Sequence, residues 1–149
     1  EPRHAASPEA LAAARRGLPR LVKVRVEGGA KARNITRAVT AVTDAVVIRL
    51  LELGAAGLGP APARFAFVAL GSQGREEQTL VTDQDHAIIF EDVPREAEAD
   101  VQAYFLKLGA FVSDGLALAG YPLCLGEIMA GGALDRAVRI WVDERKTAE

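Results

Sequence analysis

The sequence predicts an α/β domain, with a small mixed β-sheet flanked by helices and a helical segment at the N-terminus. Three observations predict it. Ile35, Val39, Val42, Val46 and Leu50 recur at helical spacing, and Val101, Phe105, Leu108 and Val112 do so again later. Between these stretches lie two short apolar runs, 65–70 and 88–90, of strand length. Glycine and proline punctuate the boundaries, as at Gly59-Pro60-Ala61-Pro62 and Gly120-Tyr121-Pro122.

The first helix is expected to start at Ser7-Pro8-Glu9, with Ser as cap, Pro in the first helical position and Glu in the first turn. It runs from Pro8 to Arg16, where Gly17 and Pro19 interrupt it. Leu21, Val22, Val24 and Val26 then fit either a second helix or a short strand, and Gly28-Gly29 breaks that segment. The long amphipathic helix spans Asn34 to Leu53, ended by Gly54 and Gly57. Phe65 to Leu70 reads as a buried strand, and Gln84 to Phe90 as a second. Pro94 opens a helix from Arg95 to Leu118. A third strand is expected over Leu123 to Met129. A last helix is expected over Ala133 to Lys146, with Leu134, Val138 and Trp141 as its stripe. These elements divide the chain into a linker (1–7), a helical segment (8–58) and an α/β core (59–149) that reads as truncated at its C-terminus. Because the sequence begins at Glu1, it reads as a piece of a longer protein.

The 149 residues are enough for one domain with a real core, and half of them are hydrophobic, which argues against general disorder. The net charge is -2 and no basic block occurs, so an extended nucleic-acid footprint is not expected. A single cysteine, Cys124, excludes an internal disulfide and any multi-cysteine metal site, which suits a cytoplasmic location. No signal peptide and no membrane-spanning run are apparent.

Chemistry concentrates in Gly71-Ser72-Gln73-Gly74-Arg75-Glu76-Glu77 and Thr82-Asp83-Gln84-Asp85. Gly71 lets a phosphate approach the backbone, and Ser72 adds a hydroxyl donor. Gln73 to Thr79 is expected to begin a helix whose amides face an anion, and Arg75 offers a fork of donors to phosphate oxygens. Asp83 and Asp85 stand two apart, so on a strand both carboxylates project from one face. Paired carboxylates suit Mg²⁺ or Mn²⁺, which complete their shells with water and nucleotide phosphates. Each part alone has an ordinary reading: Gly-Ser as a turn, Asp-x-Asp as a solvated loop or cap. Their order, with strand, Gly-Ser, helical turn and Asp-x-Asp leading into a strand, is what gives them weight.

That order resembles the DNA polymerase β-type nucleotidyltransferase superfamily. Within it, Gly71 to Gln78 and Thr82 to Asp85 resemble the bacterial signal-transduction nucleotidyltransferases, relatives of the PII-protein uridylyltransferases often fused behind cyclic-nucleotide-binding and CBS domains. The resemblance extends to Ile35–Leu53, Gly59-Pro60, Phe67–Leu70, Gly120-Tyr121-Pro122, Cys124-Leu125-Gly126 and Met129-Ala130. It implies that Gly71 and Ser72 hold nucleotide phosphate and that Asp83 and Asp85 ligate metal and carry catalysis. Arg75 and Glu76 match positions beside the phosphates. It further implies a nucleoside triphosphate substrate, a protein or small-molecule acceptor, and upstream regulatory domains in the same chain. His86 stands where a small polar residue such as Asn is expected. The superfamily also needs a third carboxylate, expected in a strand beyond the last predicted helix, and Glu127 is the in-chain candidate for that position. With the third carboxylate missing, the fragment is expected to show little or no transferase activity and reads as a nucleotide-sensing module, while transfer is the expectation for the longer parent.

The remaining polar and aromatic residues have plainer readings. His86 is as readily a packed or hydrogen-bonded histidine as a contact to base or phosphate, and His4 falls in the linker. Cys124 lacks a partner histidine and reads as a buried structural thiol. Trp141 reads as core or interface. Glu76-Glu77, Lys23, Lys31 and Arg33 read as solvated surface charge.

Overall fold

The computed structural model describes residues 2, 5–126 and 128–130, and the backbone of 138–140. The element order is α1 (Pro8–Glu27), α2 (Ala32–Leu58), β1 (Phe65–Ala69), α3 (Gly71–Gly74), β2 (His86–Phe90), α4 (Glu98–Leu118) and β3 (Val138–Ile140). The three strands form one mixed sheet in the order β1-β2-β3. β1 and β2 are antiparallel with Ala69 opposite His86, and β2 and β3 are parallel with Ile88 opposite Val138. The α/β class, the mixed sheet and the N-terminal helices match the sequence expectation.

Several boundaries differ, each for a physical reason. α1 does not stop at Arg16 but continues through Gly17 and Pro19 to Glu27. Pro19 removes one helical hydrogen bond, yet Leu18 just before it is buried and Leu21 and Val22 just after it are half-buried, and packing keeps the helix whole. The segment of Val24 and Val26 is therefore helical, with both valines more than half exposed. α2 likewise passes Gly54 and ends at Leu58, with Gly59 as its cap at φ 90°. Gly54 is a packing residue: a Cβ there would lie 2.7 Å from Leu108 Cδ1 and 2.9 Å from Phe111 Cδ1 of α4. α4 begins at Glu98 rather than Arg95, because 94–97 form a turn closed by the Ala97 N–H donating to the Pro94 carbonyl.

The end of the chain differs most. The segment expected as a strand at 123–129 is irregular in its described residues. Single hydrogen bonds tie it to the approach to β2: the His86 N–H donates to the Ile128 carbonyl within it, and the Gln84 N–H to the carbonyl of Pro122 just before it. Val138, expected in a helix over 133–146, opens β3 instead. Leu134, Trp141 and the rest of that expected helix lie outside the described residues.

Two apolar clusters form the core. Leu11, Val46, Val47, Leu50, Val112, Leu116 and Tyr121 join α1, α2 and α4. Ile88, Phe90, Val101, Phe105 and Leu108 join the sheet to α4, with Phe90 stacked on Phe105 at 4.9 Å. The helical segment thus packs on the same α4 that backs the sheet. Among the described residues no helix is long and apolar enough to cross a membrane.

Candidate functional site

The site sits where β1 ends and β2 begins. β1 delivers the chain to Leu70, whose N–H donates to the Asp85 carbonyl at 2.9 Å, so the end of one strand is pinned to the approach of the next. Gly71 then turns with φ +53°. Its α-hydrogen faces the Asp85 side chain so closely that a Cβ would collide with Oδ2 and lie 3.2 Å from Cγ. Glycine meets both demands, a left-handed backbone and a bare α-carbon.

α3 is one turn, Gly71–Gly74, and does not continue to Thr79 as expected. Glu76 at φ 56° turns the chain out of helical geometry. Gln73 is buried and its Nε2 donates to Asp44 Oδ1 of α2 at 2.8 Å, which fixes α3 against the long helix. Ser72 is half-buried within that turn, and its carbonyl accepts from the Glu77 N–H at 2.8 Å. Arg75, one residue past α3, is exposed and donates to Glu77 Oε2 at 3.0 Å. Glu76 pairs with Arg37 at 2.8 Å. Both ion pairs are solvent-exposed, where such pairs are worth little and are readily exchanged for a ligand.

Asp83 and Asp85 precede β2 rather than lying on it, yet the alternation of the strand already holds there. Residues 84, 86, 88 and 90 are buried, while 83 is exposed and 85, 87 and 89 are half-buried. Gln84 is the anchor: its Nε2 donates to the carbonyls of Ser113 at 3.2 Å and Tyr121 at 3.0 Å. With Gln84 turned inward, the two aspartates share the outer face. One ligand oxygen from each, together with Cys124 Sγ, falls within a 4.8 Å span.

Cys124 was not legible as a site neighbour. It is a half-buried free thiol, brought to the carboxylates because Gln84 holds both Tyr121 and Pro122. The one available signal was that Cys124 lies in a segment carrying the family resemblance. Glu127, the candidate third carboxylate, lies outside the described residues, as does His4.

His86 is a structural bracket rather than a ligand contact. It is buried, with its ring 4.8 Å from Phe67. The Ala130 N–H donates to its Nδ1 at 3.1 Å, which leaves the proton on Nε2, facing Gln84 Oε1 at 3.3 Å. Burial lowers its pKa from 6.5 to about 4, so it is neutral at physiological pH. Tyr121, behind the site, has its phenol pKa raised by burial, while its hydroxyl accepts from Thr43 Oγ1 at 3.2 Å.

The donor set suits a hard divalent cation. Two carboxylates on an open face leave most of the coordination shell to water and phosphate oxygens, the arrangement Mg²⁺ prefers. Cys124 is a soft donor at the edge, unneeded by Mg²⁺ and better matched to thiophilic metals.

Comparison with known proteins agrees with this geometry. No curated protein and no solved structure matches the chain. The family model described as "Putative nucleotidyltransferase DUF294" matches residues 16–148, nearly the whole chain and all of the Gly71–Asp85 segment. The chain therefore belongs to the DUF294 nucleotidyltransferase family.

Proposed function

We propose that the chain binds a nucleoside triphosphate through Gly71, Ser72 and Arg75, with Asp83 and Asp85 holding Mg²⁺ or Mn²⁺, and transfers a nucleotidyl group to a protein or small-molecule acceptor. The observation that carries this reading is the convergence of Gly71, Asp83 and Asp85 at one end of the sheet, within a segment matched by a nucleotidyltransferase family. In the reaction an acceptor hydroxyl oxygen bonds to the α-phosphorus. The bond from that phosphorus to the bridging oxygen of the β-phosphate breaks, and pyrophosphate leaves. Asp83 or Asp85, facing the open side, takes the acceptor proton. The Gly71 backbone and the Ser72 hydroxyl hold the phosphates, the bare α-carbon of Gly71 makes room for the Asp85 side chain, and Arg75 exchanges Glu77 for a phosphate oxygen. A divalent cation held by Asp83 and Asp85 would supply charge neutralisation to the phosphates. Glu127 is the residue we assign to the third carboxylate position. The proposed setting is bacterial and cytoplasmic, with regulatory domains upstream controlling the transfer.

The make-up of the cluster favours one second reading. Two carboxylates and a thiol, rather than three carboxylates, converge among the described residues, which fits a nucleotide-sensing module that binds without turnover. The two readings separate on label transfer. The chain is incubated with each α-labelled nucleoside triphosphate, Mg²⁺ and a lysate of acceptors, in parallel with Asp83→Asn/Asp85→Asn. Metal-dependent label on an acceptor, lost in the double variant, supports transfer. Intact nucleotide binding without label supports sensing.

A further inference from the structure

Arg15 belongs to α1, far in sequence from the aspartates, yet its guanidinium reaches two segments that flank them. Its Nη2 donates to the Leu80 carbonyl. Its Cζ lies over the Tyr121 ring, 5.1 Å from the centroid. Its Nε is buried and has no hydrogen-bond partner. Native proteins leave few such groups unpaired, so this placement calls for a reason.

Both contacts bear on Asp83-Gln84-Asp85. No helix or strand holds the chain from 75 to 85. Leu80 sits there in a turn closed by two threonines: the Thr79 N–H donates to Thr82 Oγ1, and Thr79 Oγ1 to the Val81 carbonyl. That turn leads directly into Asp83. Tyr121 acts from the other side. Its carbonyl accepts from Gln84 Nε2 at 3.0 Å, and Gln84 stands between the two aspartates. Tyr121 is itself fixed, with its N–H donating to the Leu116 carbonyl of α4 at 2.9 Å and its hydroxyl accepting from Thr43 Oγ1 of α2 at 3.2 Å. One side chain thus joins the entry to the aspartate segment and the anchor of its middle residue to α1.

We infer that Arg15 is a positioning residue for the metal site, keeping the carboxylates of Asp83 and Asp85 on one face. This inference rests on the proposed reading of those aspartates as metal ligands. Arginine suits the task because a planar guanidinium lies against a ring while donating in its own plane. A lysine ammonium is a compact charge without that plane and holds the two partners less well. The metal site thereby depends on a helix that carries none of its ligands.

The test is titration of Mn²⁺ alone into the full chain, followed by loss of the free-Mn²⁺ electron paramagnetic resonance signal. Asp83→Asn/Asp85→Asn sets the baseline. Arg15→Met keeps much of the stem but removes the donors and the charge. Loss of a positive charge by itself would favour a cation at the aspartates, whereas loss of positioning weakens it. Arg15→Met should therefore bind Mn²⁺ about tenfold more weakly than the wild type, the scale on which support of metal ligands acts. Arg15→Lys keeps the charge and should fall between the two. Val101→Ala, in the cluster of Phe90 and Phe105, destabilises the fold without touching these ties and should bind Mn²⁺ like the wild type. Wild-type or tighter binding by both Arg15 variants would overturn the inference. So would a loss in Val101→Ala equal to that in Arg15→Met, since general destabilisation would then account for both. A wild type that takes up no more Mn²⁺ than the double aspartate variant would count against the metal site itself, and the inference would fall with it.

Discussion

Gly71→Ala is the perturbation that most sharply links backbone geometry to ligand binding. At φ +53° an alanine enters the left-handed region, at a cost of about 1–2 kcal/mol. For a chain of this size each kcal/mol lowers the melting temperature by about 2–4 °C, so a fall of about 2–8 °C is expected. The second effect is local. The new Cβ collides with Asp85 Oδ2 and crowds Cγ at 3.2 Å, so the carboxylate has to swing away from Gly71. The Asp85 backbone cannot retreat without losing the bond between its carbonyl and the Leu70 N–H. The carboxylate must therefore leave its place beside Asp83. Misorienting a metal ligand characteristically costs about 10–100-fold in metal affinity, and Mg²⁺-dependent nucleotide binding should weaken by that factor. The assay pairs thermal unfolding with calorimetric titration of nucleotide at fixed Mg²⁺. A Gly71→Ala protein that melts lower but binds Mg²⁺-nucleotide like the wild type would refute the reasoning, because it would show that the position of Asp85 does not matter to the site.

Three further outcomes are expected. His86 is neutral in the folded chain with its pKa lowered to about 4 from 6.5, so the unfolded state binds the proton first as pH falls. The stability it supports should be full above pH 6.5, lower by about 2 kcal/mol at pH 5, and lower by about 3 kcal/mol below pH 4, where the loss levels off. Urea unfolding across pH 4–8 measures it, and His86→Gln should flatten that part of the slope. Gly109→Ala should destabilise the fold by about 1–3 kcal/mol in denaturant unfolding, because the new Cβ meets the backbone carbonyl of Ala130, the residue whose N–H donates to His86 Nδ1. Gln73→Leu removes the bond that ties α3 to Asp44 and should lower both stability, by about 1.5–3 kcal/mol, and nucleotide affinity; unchanged affinity by calorimetry would show that α3 holds its place without it.

The parts of this fold that could be read from the sequence are those set by local pattern. The periodic stripe of α2 and α4 follows from side-chain spacing, and so does the shared face of Asp83 and Asp85, two residues apart. What could not be read is set by contacts distant in sequence. Gly54 has the look of a helix terminator but serves the approach of Leu108 and Phe111, more than fifty residues away. Gly17 and Pro19 are breakers by local rule, outweighed by the packing of Leu18, Leu21 and Val22. β3 is three residues long and is a strand only because β2, about fifty residues earlier, offers it a parallel partner. Cys124 reaches the carboxylates through Gln84, whose grip on Pro122 and Tyr121 no spacing rule predicts. The helix expected after Gly74 fails at Glu76, where the backbone turns left-handed.

The central claim, a metal-dependent nucleotide site at Gly71, Asp83 and Asp85, is tested most directly by titrating a nucleoside triphosphate into the protein with Mg²⁺, with Mn²⁺ and with chelator, for the wild type and for Asp83→Asn/Asp85→Asn. The account predicts binding by the wild type with either cation, loss of that binding in chelator, and no cation dependence left in the double variant. Binding of equal strength in chelator, or a double variant that keeps the full response to Mg²⁺, would contradict it.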